Sequence, residues 1–208
     1  MRIYIIRVGP VDREILESIA KGVDEIFGMG TCKIMDEVIL LSKEAYNRLR
    51  EQYLSEPLLN KISEYALELT EKSGENCIVL GVTNVDIYAP RMNFIFGEAQ
   101  CPGRAAIISL FRLRPDFYGE HPDNNLFVER AVKEAVHELG HTLGLKHCSN
   151  PFCVMHFSLH IGMTDRKTRI FCEMCRKKLI IGLGIKRKSS LLTYGGNYDT
   201  YNRDSWEP

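Results

Sequence analysis

The run from His137 to His147, HELGHTLGLKH, limits what this chain can fold into more than any other stretch. It fills all five fixed positions of H-E-x-x-H-x-x-G-x-x-H. His137 and His141 are four residues apart, so on an α-helix they lie about one turn apart on nearly the same face. Two imidazoles so placed can share one metal ion. Glu138 sits beside them, within reach of a metal-bound water without being a ligand. Gly144 lets the backbone leave the helix with φ > 0, which most residues resist. The turn then returns His147 as a third ligand. Three histidines with an open fourth position are the pattern of catalytic zinc rather than of a closed structural site. Reading the three as ordinary polar positions on a surface helix would require five coincidences at fixed offsets.

The residues upstream predict a buried helix. Phe127, Ala131, Ala135, Leu139 and Leu143 recur every four positions, with Val128, Val132 and Val136 beside them, making a broad apolar stripe. Pro122 and Asp123 mark its start. Gly140 costs such a helix roughly 1 kcal/mol relative to Ala, which predicts that something packs close to the backbone there.

Four of the seven cysteines follow the histidine run: Cys148-x4-Cys153-x18-Cys172-x2-Cys175. The C-x2-C half can place two thiolates on one tetrahedral ion, and the set reads as a four-cysteine structural zinc site. Two disulfides are the alternative. Because Cys148 directly follows His147, the two metals would share one stretch of backbone, about 10–15 Å apart. The structural ion would then brace the loop that carries the third histidine. Cys32, Cys77 and Cys101 lack such spacing and read as buried hydrophobes.

Taken together, HELGHTLGLKHC, then Cys153-Val154-Met155, then Cys172-Glu173-Met174-Cys175, resembles the archaemetzincins, a metzincin-like group of zinc peptidases. The resemblance implies two zinc ions per chain. It assigns His137, His141 and His147 as catalytic zinc ligands, Glu138 as general base, Gly144 as the turn, and Cys148, Cys153, Cys172 and Cys175 as ligands of a structural zinc. It also makes Met155 the Met-turn residue beneath the catalytic zinc; read from the residues alone, Met155 is an ordinary core methionine. Astacin-like metzincins place a tyrosine two positions after that methionine, where it can ligate zinc and stabilise an oxyanion. This chain has Phe157 there, which can do neither. His156 and His160 are nearby candidates for that task, against the plainer reading of surface or loop histidines. Upstream of the helix, the resemblance is one of architecture and size.

The rest of the sequence bounds the setting. Composition is ordinary for a globular chain, with 45% apolar and 26% charged residues, enough for a sizeable core. A formal net charge of zero disfavours a dedicated nucleic-acid binder. No apolar run reaches the ~18 residues that span a bilayer. The start, MRIYIIRVGPVDRE, is too soon charged for a signal peptide, so a cytoplasmic protein is expected. Strands are predicted over 2–8, 33–41, 77–82, 93–97 and 104–110, and helices over 11–27, 43–52 and 57–73. That order fits an α/β (α+β) fold: a metzincin-like mixed sheet backed by helices, with the active-site helix, then a short zinc-stapled C-terminal subdomain. The expected organisation is an N-terminal subdomain over 1–144, a four-cysteine subdomain over 145–188, and a polar tail over 189–208, poorly ordered or partly packed through Leu191, Leu192 or Tyr194. Residues 92–97 are the candidate edge strand for pairing with substrate backbone, or else an ordinary strand. Nine Lys or Arg stand against one Glu over 166–188, which reads as a solvated face.

These observations predict a zinc-dependent metallopeptidase that hydrolyses peptide bonds through a zinc-bound water, with Glu138 as general base. The expected partner is a peptide or protein substrate, and the expected state is a monomer. Rival readings keep the zinc and drop the peptidase: a zinc-braced peptide-binding protein with little catalysis, a zinc hydrolase acting on a non-peptide amide, or a nucleic-acid-binding zinc protein.

Overall fold

Arg2–Val8 forms strand β1 of a computed structural model that describes residues 2–28 and 30–182. Its apolar side chains point alternately to two faces, and both faces are buried, so the strand reads as a near-continuous hydrophobic run. Helix α1 (Arg13–Phe27) follows, then β2 (Cys32–Ile39), the short strands β3 (Tyr46–Asn47) and β4 (Gln52–Leu54), and helix α2 (Ser55–Ser73). Next come β5 (Cys77–Thr83), β6 (Ile87–Tyr88), β7 (Gly97–Ala99) and β8 (Ala105–Ser109), and then helices α3 (Asn124–Thr142), α4 (Ile161–Arg166) and α5 (Glu173–Gly182).

Five strands make the main sheet in the order β2-β1-β5-β8-β7. The first four run parallel, and β7 pairs antiparallel with β8 at the edge. On one face, Ile3, Ile5, Leu80, Val82, Ala106 and Ile108 pack with the apolar sides of α1 and α3. On the other, Tyr4, Ile6, Val8, Val79 and Ile107 pack with Leu58, Ile62 and Ala66 of α2. The layout is the expected mixed sheet backed by helices. The first apolar cluster continues without a break into the cysteine-bearing segment, taking in Cys153, Val154, Met155, Phe171, Cys175 and Leu179.

The strands and helices predicted over 2–8, 11–27, 33–41, 57–73, 77–82 and 104–110 are present with no end shifted by more than two residues. Two segments differ. Residues 43–52 are not a helix but a 3-10 turn followed by an antiparallel strand pair. The Asn47 side chain accepts from the backbone N–H groups of Leu49 (3.1 Å) and Arg50 (3.2 Å), and Glu51 adopts φ 56°. That local turn displaces the helix its neighbours would favour. The edge strand also lies further along than 92–97. Residues 97–99 form it, while 92–96 is a loop in which Ile95 makes only an isolated bridge to Ile87. Among the described residues, no helix is long and apolar enough to cross a membrane. The tail over 189–208, with Leu191, Leu192 and Tyr194, lies outside the described residues, as do positions 183–188 of the basic segment.

Candidate active site

Helix α3 carries His137, Glu138 and His141. Its first turn is capped by Asp123, whose carboxylate accepts the Leu126 backbone N–H at 3.0 Å. Its last turn closes as a Schellman motif. The Leu145 N–H donates to Gly140 O (3.0 Å), and the Gly144 N–H donates to His141 O (2.8 Å), with Gly144 at φ 87°. This exit turns the chain back, so that one ring nitrogen each of His137, His141 and His147 comes within 4.8 Å of the others.

Each helical histidine is oriented by a backbone carbonyl. His137 Nδ1–H donates to Val154 O and His141 Nδ1–H donates to Leu145 O, both at 2.7 Å. These bonds fix the tautomer and leave the Nε2 lone pairs facing each other at 3.1 Å. Two lone pairs cannot bond each other but can share a cation. A tetrahedral ion with Zn–N of 2.0–2.1 Å needs a nitrogen–nitrogen edge of about 3.3 Å, so the geometry fits zinc. Burial lowers the pKa of all three imidazoles, most for His137, and so favours the neutral, ligating form.

Glu138 is 4% exposed. Burial, and then the nearby Glu134, push its carboxyl well above the ordinary range. A divalent cation on the three imidazoles would pull it back down. Gly97 of β7 faces this side chain: a Cβ there would lie 2.6 Å from both Glu138 Cγ and Oε1. Gly140 has a similar explanation, since a Cβ on it would run into the sulfur of Met155. Met155 is fully buried and packs against the helix backbone between His137 and His141.

A cleft of about 520 Å³ runs along this site. Its lining includes Met92, Phe94, Ile95 and Phe96, followed by Gly97, Glu98 and Ala99 of β7. The three histidines, Glu134, Glu138, Phe157 and Ser158 line it as well. The Phe157 ring lies 4.7 Å from that of His147. His156 and His160 are not among the lining residues. His156 turns its Nδ1 to Cys148 O (2.9 Å), and His160 precedes α4, so the loop reading of both holds.

The sulfurs of Cys148, Cys153, Cys172 and Cys175 also lie within 4.8 Å of one another. Cys148 and Cys172 are 3.8 Å apart, the edge of a tetrahedron with metal–sulfur bonds of about 2.3 Å and far beyond a disulfide bond. Burial raises the Cys153 thiol to about 11. Burial acts the same way on Cys172, but the Cys175 backbone N–H and the neighbouring thiols outweigh it and hold Cys172 below its ordinary value. Of the other three cysteines, Cys77 is buried and Cys32 partly so, whereas Cys101 is exposed at the cleft, where its thiol donates to Leu145 O (3.4 Å). The expectation of a buried Cys101 is corrected, because the β7–β8 loop carrying it packs on the exit turn of α3 rather than inside the core.

Sequence reasoning missed a buried ion pair at this site. Lys167, fully buried, lies 3.0 Å from Glu134 Oε1, and Thr164 Oγ donates to the same oxygen at 3.0 Å. Lys167 therefore does not belong to a solvated basic face. Glu134 stands three residues before His137 on the same helix face, and that spacing was the one available signal.

The model of peptidase family M54 matches residues 13–180. The archaemetzincin of Methanocaldococcus jannaschii is 47% identical, over 86% of this chain and 93% of that protein. The crystal structure of the Methanopyrus kandleri archaemetzincin superposes with a TM-score of 0.74 at 37% identity, covering 88% of this chain and 96% of that one. The structure of a zinc-dependent peptidase from Methanocorpusculum labreanum gives a TM-score of 0.76 at 30% identity, covering 85% and 99%. Fold, histidine cluster and relatives agree, and the chain belongs to peptidase family M54 alongside the archaemetzincins, as a metzincin-type zinc metallopeptidase.

Proposed function

We propose that the chain hydrolyses peptide bonds in the 520 Å³ cleft, with His137, His141 and His147 holding one zinc and Glu138 acting as general base. A second zinc is held by Cys148, Cys153, Cys172 and Cys175. The observation that carries this reading is the convergence of two oriented Nε2 lone pairs, a third imidazole and a buried carboxylate in one cleft. Zinc, when bound, supplies Lewis acidity to the scissile carbonyl and to water. Glu138 takes the proton of the attacking water and returns it to the leaving amine. Gly97 leaves room for the carboxylate to do so, and Met155 holds the helix backbone that positions it.

The substrate is an extended peptide pairing with β7. Phe96 O and Gln100 N–H bond to β8, at 2.8 and 3.0 Å. By the alternation of an antiparallel ladder, the N–H and C=O groups of Gly97 and Ala99 point away from it, available for another strand. In this reading the cleft divides a unit over 1–144 from a smaller unit over 145–188 that carries the cysteine site.

The test is a diverse peptide library incubated with zinc-loaded protein, with new termini read by mass spectrometry and Glu138→Gln alongside. Cleavage should fall by about 10²–10⁴-fold in the variant while zinc content stays the same. Equal cleavage by both proteins would refute the role of Glu138. Zinc retention with no cleavage by the wild type would favour a zinc-braced peptide-binding protein.

A further inference from the structure

Residues 92–96 run into β7 as a loop, and side chains from elsewhere in the chain pin that loop in place. Arg50 Nη2 donates to Met92 O at 2.8 Å and to Asn93 O at 2.7 Å. Gln52 Nε2 also donates to Asn93 O, at 2.9 Å. The Ile95 N–H donates to Ile87 O at 3.0 Å. The Phe94 ring is held as well. The Arg112 guanidinium lies over its face, 4.3 Å from the centroid, and Phe96 meets it in a T-shaped contact at 5.2 Å. The groups that do this are themselves fixed. Asp86, 8% exposed, accepts Arg112 Nε at 2.9 Å, Arg112 Nη2 at 2.7 Å and Gln52 Nε2 at 2.9 Å. Arg50 Nε donates to Gln52 Oε1 at 2.8 Å. Arg50, Gln52, Asp86 and Arg112 are thus one network joined to the loop.

The carbonyls do not need that network for their hydrogen bonds. Arg50 and Asn93 are exposed, and water would serve the Met92 and Asn93 oxygens. What the network supplies is position. A loop already ordered in the free protein does not have to be ordered by its ligand. The side chains so placed are Met92 and Phe94, both half-buried and both lining the cleft that holds the three histidines and Glu138. They present apolar area there, and the guanidinium stacked on Phe94 already occupies the attraction that the ring would offer a cationic group. A peptide extended along the free edge of β7 and continuing past Gly97 passes this loop. We propose that Met92 and Phe94 form a subsite for one large apolar side chain of the peptide substrate, of the size of Leu, Met or Phe, and that Arg50 and Arg112 are positioning residues for it. This rests on the peptidase reading above and deepens it, assigning a determinant of substrate choice to the segment before β7.

The test compares, position by position, the residues that zinc-loaded wild type and Phe94→Ala accept around the cleaved bond in the peptide library. At one position, wild type should favour Leu, Met or Phe over Ala by about 10–50-fold in kcat/KM, and Phe94→Ala should reduce that ratio below about threefold. Phe94→Gln, which keeps a long side chain beside Phe96, should reduce it equally, whereas Phe94→Leu should keep it within about threefold of wild type. Arg112→Lys, which keeps a charge for Asp86 but not the planar stack, and Arg50→Met should each narrow it about three- to fivefold. The ratio between two peptides on one protein is the readout, because a general loss of structure lowers both rates and leaves the ratio alone. Peptide Kd values in the zinc-loaded Glu138→Gln background, measured by titration calorimetry, should show the same ratios. A preference profile unchanged at every position in Phe94→Ala and Phe94→Gln would overturn the subsite and leave the peptidase reading intact. An unchanged ratio in both arginine variants would remove their positioning role. A wild type that neither cleaves nor binds any library peptide would overturn the subsite and the peptidase reading together.

Discussion

Gly97 has no side chain, and the place of Glu138 depends on that. A Cβ on Gly97 would stand 2.6 Å from Glu138 Cγ and Oε1 and 2.8 Å from the Ile107 carbonyl oxygen. The carbonyl belongs to the paired strand β8 and cannot yield, so the carboxylate would have to move. Gly97→Ala is therefore expected to keep its zinc, lose about 1–3 kcal/mol of stability, and lose about 100-fold in kcat/KM. Zinc quantification, thermal melting and steady-state kinetics on one preparation check all three, and full activity in a folded variant would show that Glu138 does not need this space. The histidines, Glu138 and Gly144 were legible in the sequence because their geometry is set by helical spacing within eleven residues. Gly97, forty-one positions before Glu138, was not, since only the fold brings the edge strand against α3. A glycine inside a strand-like run hints at a close approach but does not name what approaches.

At the scale of elements, periodicity located α3 and its apolar stripe but not its buried charges. Arg130, Lys133 and Glu134 are buried as well, and each bonds to the segment that contains α4. Arg130 donates to both carboxylate oxygens of Asp165, at 2.7 and 2.8 Å, Lys133 donates to Asp165 O at 3.2 Å, and Lys167 pairs with Glu134. A pattern that assigns charge to the solvent side cannot foresee a helix whose polar face is covered by a later segment. The same limit explains residues 43–52, whose composition favours a helix until the Asn47 turn is formed. Lys167→Met should leave Glu134 buried and unpaired, at a cost of about 3–5 kcal/mol. Lys167→Met combined with Glu134→Leu removes both charges and should recover most of that loss. Urea denaturation of the two single variants and the double variant closes the cycle. A double variant no more stable than Lys167→Met would show that the pair is not a unit.

In the whole molecule, the sequence-level expectation of a small unit held by cysteines omits how that unit joins the sheet. Phe171 packs edge-on against Phe27 of α1 at 5.7 Å, and Cys153, Val154 and Met155 share one apolar cluster with β1, α1 and α3. The two candidate metal sites meet through this cluster. His147 is followed directly by Cys148, and the Cys148 N–H donates to Met155 O at 2.8 Å. Val154, between Cys153 and Met155, gives its carbonyl to His137 Nδ1 and takes its own N–H bond to Ile170 O at 3.0 Å. Residues of the cysteine cluster therefore border both the third histidine and the carbonyl that orients the first. Cys172→Ala should lose the cysteine-site zinc and also weaken zinc at the histidines by about 10–100-fold, the usual cost of disturbing the groups that orient a ligand. Competition with a graded series of chelators, followed by zinc quantification, measures both sites in one titration. Cys77→Ala, which removes a buried thiol that pairs with neither cluster, is the control for simple destabilisation. Histidine-site affinity that stays at the wild-type value in a folded Cys172→Ala protein would separate the two metals. A loss beyond that of the control would make the cysteine site part of the apparatus that places His137 and His147 on their ion.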